Sequence, residues 1–307
     1  MKPTKIWITL AGIGTVAAAG YWYVFIAGAP QFDPPVVASS QQMEAEGLTF
    51  QLETFKSQAM GTTRTYGVIL PPGYSQNPTR RYPVVFLLHG GHDDARAYID
   101  KYGMATILKD LYTSQKLPPT ILVTPDGNDQ RGSSPLYDPQ YYDGENGKVG
   151  TLIGSELVQE IKDHYRTLEQ PQFWAMGGIS SGGWGALNIG LRHLDQFKVF
   201  FSHSGYFTDS SGSQNSPNQF IKALPTEQLK GIQIYLDAGK NDTDLLDSTQ
   251  EFHQTLEALK VSNVFFAFPG GHGLTGADIG WNYFHKHLYD SLSYVGEQFQ
   301  KASIPSR

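Results

Sequence analysis

The segment FWAMGGISSGGWGAL, Phe173 to Leu187, sets two adjacent serines among glycines, and only one of them has the flanks a nucleophile needs. Ser180 has Gly178 two residues before it and Gly182 two after it, whereas Ser181 has Ile179 and Gly183. A Gly-x-Ser-x-Gly run is informative only between a strand and a helix, where a strained turn holds the serine hydroxyl clear of the backbone. Both flanks are present. FWAM is short, apolar and aromatic, as a buried strand is, and Ala186, Leu187, Ile189 and Leu191 form an apolar helical run ending near Arg192 and His193. Ser180 is therefore the candidate nucleophile, and the chemistry it implies is attack on an acyl carbon.

A serine hydroxyl needs a base, and the base needs an orienting acid; after such a turn the chain order is Ser, Asp or Glu, then His. Of nine histidines, His272 alone stands in a Gly-rich loop, FPGGHGLTG, directly after the last predicted strand. His285 and His287 fall in an aromatic, helix-like segment and read as packing or surface residues. The preceding strand ends in YLDAGKNDTD. There Asp237 points away from the loop, and Asp242, beyond the turn at Gly239, is preferred over Asp244. Asp242's other possible duty is to cap the helix beginning near Thr243. Two amides should face the developing oxyanion. Ser181, at the helix start, supplies one; the loop LLHGGHDD supplies the other, with Gly91 preferred and His92 second. A metal site built from His89, His92 and His272 lacks a carboxylate at ligand spacing, so neither a metal nor an organic cofactor is expected.

These residues need a scaffold that brings successive strand ends together. LTFQLETF and TRTYGVIL read as two strands turning near Gly61, and VVFLL, ILVT, FWAM, VFFS, IQIYLDA and VFFAF follow as buried strands. Helix-period stretches, such as Leu152 to Tyr165 and Asp244 to Leu259, lie between them. The alternation predicts an α/β fold with a mostly parallel central sheet and helices on both faces. Two long inserts, from Asn128 and from Tyr206, follow strand C-termini and are the expected substrate walls, although Tyr137, Tyr141 and Tyr142 would serve equally to pack the first insert.

The 307 residues carry a net charge of −6, 40% hydrophobic residues and no cysteine. That balance gives a globular core, argues against a nucleic-acid partner and excludes disulfides and thiol chemistry. Lys2 and Lys5 precede an almost uninterrupted apolar run from Ile6 to Ala29, long enough for the roughly 30 Å hydrocarbon core. The expectation is a hydrophobic helix in residues 1–29 that anchors the chain in a membrane with its catalytic domain outside the cytoplasm. The alternative is cleavage at Ala27-Gly28-Ala29 and a secreted or periplasmic protein. Residues 30–47 have spacer composition, and 48–307 form the catalytic domain.

RRYPVVFLLHGG, VTPDG, GGISSGGWGAL, DAGKND and PGGHG occur in the order and spacing of the esterase D-like "putative esterase" family of α/β hydrolases, which the chain resembles from about Leu48 to Tyr294. That family includes enterochelin esterases, feruloyl and acetyl xylan esterases, S-formylglutathione hydrolase and the mycolyltransferases. The resemblance implies the α/β-hydrolase fold, with the nucleophile on Ser180, the acid on Asp242, the base on His272 and the oxyanion loop on Gly91. Ile179 and Ser181 stand where the family commonly has His or Tyr and Met, so no subfamily is singled out. The expected activity is hydrolysis of a small-molecule or carbohydrate-linked acyl ester through an acyl-enzyme. The alternatives are acyl transfer to a sugar hydroxyl and, in another class, a non-catalytic binding module on a hydrolase scaffold.

Overall fold

The computed structural model describes residues 12, 14–23, 31–37, 40–134 and 137–303. Eight strands form its central sheet: β1 (Thr49–Ser57), β2 (Thr62–Leu70), β3 (Val84–Leu88), β4 (Ile121–Pro125), β5 (Trp174–Ile179), β6 (Val199–His203), β7 (Gln233–Gly239) and β8 (Ser262–Phe268). Their spatial order is β1-β2-β4-β3-β5-β6-β7-β8. β2 pairs antiparallel with both β1 and β4, and every other pairing is parallel. The sheet is thus mostly parallel, as the alternating sequence pattern requires.

The continuous apolar runs are explained by helices on both faces. In β3 all five side chains are buried. Val84, Phe86 and Leu88 enter one core and Val85 and Leu87 the other, the two-residue alternation of a strand applied to two covered faces. Helices α2 (Leu157–His164), α3 (Ser181–Gly190) and α4 (Thr243–Ala258) contribute Leu157, Ile161, Leu187, Phe252 and Leu256 to the first core. Helices α1 (Met104–Thr113) and α5 (Trp281–Ala302) contribute Leu108, Leu111, Leu288 and Leu292 to the second. Each such side chain stabilises the fold by about 1.5–3 kcal/mol. The parallel strands share one direction, so the C-terminal ends of β3, β5, β7 and β8 meet at one edge.

The expected N-terminal membrane anchor requires correction. Among the described residues no helix is long and apolar enough to cross a membrane. The described residues of that segment are 12 and 14–23. The rest of the segment, with the proposed cleavage site at Ala27 to Ala29, lies outside the described residues. The membrane partner and the placement of a membrane-tethered catalytic domain outside the cytoplasm are withdrawn with the anchor. Residues 31–37, read as spacer from their composition, lie against the sheet-and-helix body, where Val36 forms a parallel bridge with Tyr102.

Candidate active site

The end of β5 turns sharply into α3 at Ser180, whose backbone has φ 56° and ψ −123°. This is a conformation that side-chain-bearing residues seldom adopt, and it persists only where the surroundings enforce it. Here the Ser180 amide donates to the His203 carbonyl at 2.8 Å and the Ser180 carbonyl accepts from the Trp184 amide at 3.1 Å. The flanking glycines are needed for space: a β-carbon at Gly178 would press on the Leu88 carbonyl and on Gly182, and one at Gly182 on the carbonyls of Leu88 and His89. The turn separates the two serines physically. Ser180 is partly exposed and lines a cavity of about 560 Å³. Ser181 is fully buried, and among the described residues its hydroxyl has no hydrogen-bond partner. Its amide opens the ten-residue helix α3, where the aligned peptide dipoles favour negative charge.

His272 lines the same cavity from the loop after β8. Its Nδ1 lies 2.8 Å from Asp242 Oδ2, and its own amide donates to Asp242 Oδ1 at 2.8 Å. The ring also packs edge-on against Phe284, 5.1 Å between centroids. Asp242 directly precedes α4, yet its side chain makes no capping bond to that helix, and both its oxygens are engaged with His272. Burial pushes the Asp242 carboxyl upward. The hydrogen bond from the His272 ring, the imidazole's charge, the Ser204 hydroxyl and the His272 amide together outweigh it and hold the group below the usual carboxylate range. Asp244 is exposed in the first turn of α4. The structure therefore pairs Asp242 with His272. Ser180 and His272 line one cavity.

Gly91 also lines that cavity, beside Gly90 and His92. A β-carbon at Gly91 would collide with the Asp138 carboxylate. His92, at φ 64°, turns its ring outward to the Ser134 carbonyl at 2.6 Å. His89 is buried, with Nδ1 2.8 Å from the Gly90 carbonyl and Nε2 accepting from the Gly127 amide at 3.0 Å. Both of its ring nitrogens are committed to holding this loop. Among the described residues no group of three or more His, Cys, Asp or Glu side chains is placed to hold a metal ion.

Sequence reasoning missed Ser204. It follows β6 with φ 44°, is fully buried, and donates its hydroxyl to Asp242 Oδ2 at 2.8 Å. Behind it, Asp237 accepts from Tyr283 at 2.9 Å and lies 2.7 Å from His203 Nδ1, a buried network that ties β6, β7 and α5 together. The inserts expected to wall the site contribute unequally. The first reaches the cavity through Asp138, while Tyr141 is buried and donates to the His89 carbonyl at 2.7 Å. The second packs elsewhere, with Tyr206 stacked on Trp184 at 5.2 Å. The remaining lining comes from Leu274, Trp281 and Phe284 together with Lys101 and Tyr102, whose ring meets Phe284 edge-on at 6.0 Å. A larger groove of about 810 Å³ between β8 and α5 is remote from this chemistry and is lined by residues such as Tyr235, Phe266 and Tyr294.

A model of the family described as "Putative esterase" matches residues 57–294, more than half of the chain. An esterase of Mycobacterium tuberculosis is 30% identical over 162 residues, 49% of this chain and 31% of the relative. The chain spans between 22% and 64% of the length of the curated relatives it matches. Among solved structures, a ferulic acid esterase is 27% identical with a TM-score of 0.73, covering 82% of this chain and 99% of that one. A fluorophosphonate-binding serine hydrolase of Staphylococcus aureus shares the fold at 15% identity and a TM-score of 0.66, covering 81% and 98%.

Proposed function

The chain belongs to the "Putative esterase" family, and from that premise we propose that it is a carboxylic ester hydrolase working through Ser180, His272 and Asp242. The observation that carries the reading is the pairing of His272 with a carboxylate held charged, in the cavity that also receives the one serine on a strained strand-to-helix turn. In this reading His272 Nε2 takes the Ser180 proton as Oγ attacks the ester carbonyl carbon. The tetrahedral oxyanion is met by the amides of Gly91 and Ser181, each donor contributing about 3 kcal/mol. Collapse expels the alcohol, which receives the proton from His272 and leaves an acyl-Ser180. A water molecule, deprotonated by His272, then attacks the acyl carbon and releases the acid, and the proton returns to Ser180. Asp242 stays ionised, fixing the ring tautomer and balancing the transient imidazolium.

The cavity combines aromatic and aliphatic surface from Trp281, Phe284, Leu274 and Ile179 with polar groups from Gln31, Lys101 and Asp138. That mixture suits an ester with an apolar acyl group and a hydroxyl-rich alcohol. The similarity to a ferulic acid esterase and to an endo-1,4-beta-xylanase/feruloyl esterase of Xylanibacter ruminicola supports an aromatic acyl group on carbohydrate. The test is a panel of acyl esters graded by chain length and aromaticity. The reading expects turnover highest on aromatic acyl esters and abolished by Ser180→Ala. Equal turnover of short aliphatic esters would remove the aromatic preference, and activity surviving Ser180→Ala would remove the mechanism.

A further inference from the structure

The loop that presents His272 is rich in glycine. Gly270, Gly271, Gly273, Gly276 and Gly280 all have positive φ, and glycine carries the largest backbone freedom to be lost on ordering. Within the loop, Gly271 bridges Ile279, the Gly271 amide donates to the Asp278 carbonyl at 3.1 Å and the Gly280 amide to the Gly271 carbonyl at 2.7 Å; from outside it, Asp242 meets His272, the Asn241 amide donates to the Gly270 carbonyl at 2.9 Å and Lys286 pairs with Asp278 at 2.6 Å. A further group of ties comes from residues 31–33, some 240 positions earlier in the chain and outside the segment matched by the family model.

Asp33 makes three of them. It accepts from Thr275 Oγ1 at 2.8 Å, from the Gly276 amide at 2.6 Å and from Asn282 Nδ2 at 3.1 Å. The Phe32 amide donates to the Leu274 carbonyl at 2.7 Å, and Gln31 Oε1 accepts from the Trp281 amide at 2.7 Å. Three residues further on, the Val36 amide donates to the Lys101 carbonyl at 3.1 Å. Lys101 and Tyr102 line the cavity, as do Leu274 and Trp281, so residues 31–36 bond to two separate stretches of its lining. Gln31 itself lines the cavity. The Asp33 carboxyl is held below its usual range, first by the Gly276 amide and then by the Thr275 hydroxyl, consistent with an ionised acceptor.

We propose that residues 31–36 are a working part of the active site, a strap in which Asp33 is the positioning residue for the His272 loop. It acts on the reaction through the loop and touches neither the ester nor the reacting atoms. The proposal rests on the reading of His272 as the base. A displacement of about 1 Å at a reacting group costs up to about a hundredfold in rate.

The experiment uses the full chain and compares Asp33→Ala, Asp33→Asn and Thr275→Val with wild type. The readouts are kcat, KM and the rate at which a fluorophosphonate labels Ser180, with folding followed by circular dichroism. Asp33→Ala removes every acceptor, and kcat and the labelling rate should fall together by between about tenfold and a hundredfold, with KM changed far less. Asp33→Asn keeps an oxygen for Gly276 and Asn282 and an amide that can donate to Thr275, so it should recover most of both rates. Thr275 is exposed, and Thr275→Val, which cuts one tie from the loop side, should move both rates in the same direction by a few-fold even if Asp33→Ala fails to fold. Wild-type kcat and labelling in Asp33→Ala or Thr275→Val, with His272→Ala inactive, overturns the strap and leaves the esterase reading intact. Normal turnover in His272→Ala overturns that reading and the strap with it.

Discussion

Replacing Asp242 by Asn alters a single atom of the candidate site and has a consequence that can be worked from the contacts. Oδ2 accepts from two donors, His272 Nδ1 and Ser204 Oγ, while Oδ1 accepts from the His272 amide. An asparagine presents one oxygen and one NH2. With the oxygen on the backbone-amide side, the NH2 faces the imidazole, and the ring avoids a donor–donor clash only by moving its proton to Nε2, where it can no longer accept from Ser180. With the amide flipped, the NH2 faces the His272 N–H, which cannot change its role. Hydrogen bonds to charged acceptors contribute about 1.5–3 kcal/mol each, so disabling two costs about 3–6 kcal/mol, on the order of 10²–10⁴ in rate. The expected fall in kcat is about a thousandfold. The assay is steady-state hydrolysis of an ester turned over by the wild type, with Asp244→Asn as control. Asp244 is exposed at the start of α4, where a charge contributes about 0.3–1 kcal/mol to helix stability, and its loss should leave kcat within a few-fold. A folded Asp242→Asn enzyme within tenfold of wild type, or an Asp244→Asn enzyme slower than it, refutes the reasoning.

Ser204→Ala should lower kcat by between about ten- and a hundredfold, since it removes one hydrogen bond to the Asp242 carboxylate but leaves the bond to His272; a wild-type rate would relegate Ser204 to packing. Gly182→Ala drives a methyl into the Leu88 and His89 carbonyls and should destabilise the fold by at least the ~1–3 kcal/mol typical of overpacking, read as a lowered denaturant midpoint. An unchanged midpoint would mean that the turn relaxes freely. The pH dependence of stability has a definite sign. Because the folded Asp242 titrates below its unfolded value, its stabilisation is complete above about pH 4 and is lost as pH falls through the lower folded value. The melting-temperature gap between wild type and Asp242→Asn should therefore narrow on acidification from pH 6 to pH 3, and a widening gap would contradict the pairing.

What the sequence makes legible is what depends on local pattern. VVFLL reads as a buried strand because both of its faces must be apolar when helices cover both sides of the sheet. The strand, turn and helix around Ser180 are legible because two glycines are needed where the turn crosses the end of β3. Ser204 carries no such signal: its left-handed backbone is imposed by β6, β7 and the Asp242 loop meeting at one point, and no neighbour in sequence announces it. The segment from Gln31 to Val36 is the instructive failure. Proline and glutamine give it the composition of a spacer, yet one aspartate supplies the acceptor for three donors of a glycine-rich loop far along the chain. Composition describes how freely a segment moves when alone, and a long-range hydrogen bond is invisible to it. The Tyr206 insert errs in the opposite sense. Its position after a strand suggests a substrate wall, but Trp184 offers an aromatic face that captures Tyr206 instead.

The choice between Ser180 and Ser181 is the central claim, and fluorophosphonate labelling with peptide mapping tests it most directly, carried out on the wild type, Ser180→Ala and Ser181→Ala. The expected result is labelling of Ser180 in the wild type, loss of both labelling and ester hydrolysis in Ser180→Ala, and near-normal labelling and turnover in Ser181→Ala. The last variant keeps the backbone amide and removes only a buried hydroxyl without a partner among the described residues. Label on Ser181 with Ser180 unmodified, or hydrolysis surviving in Ser180→Ala, would contradict it.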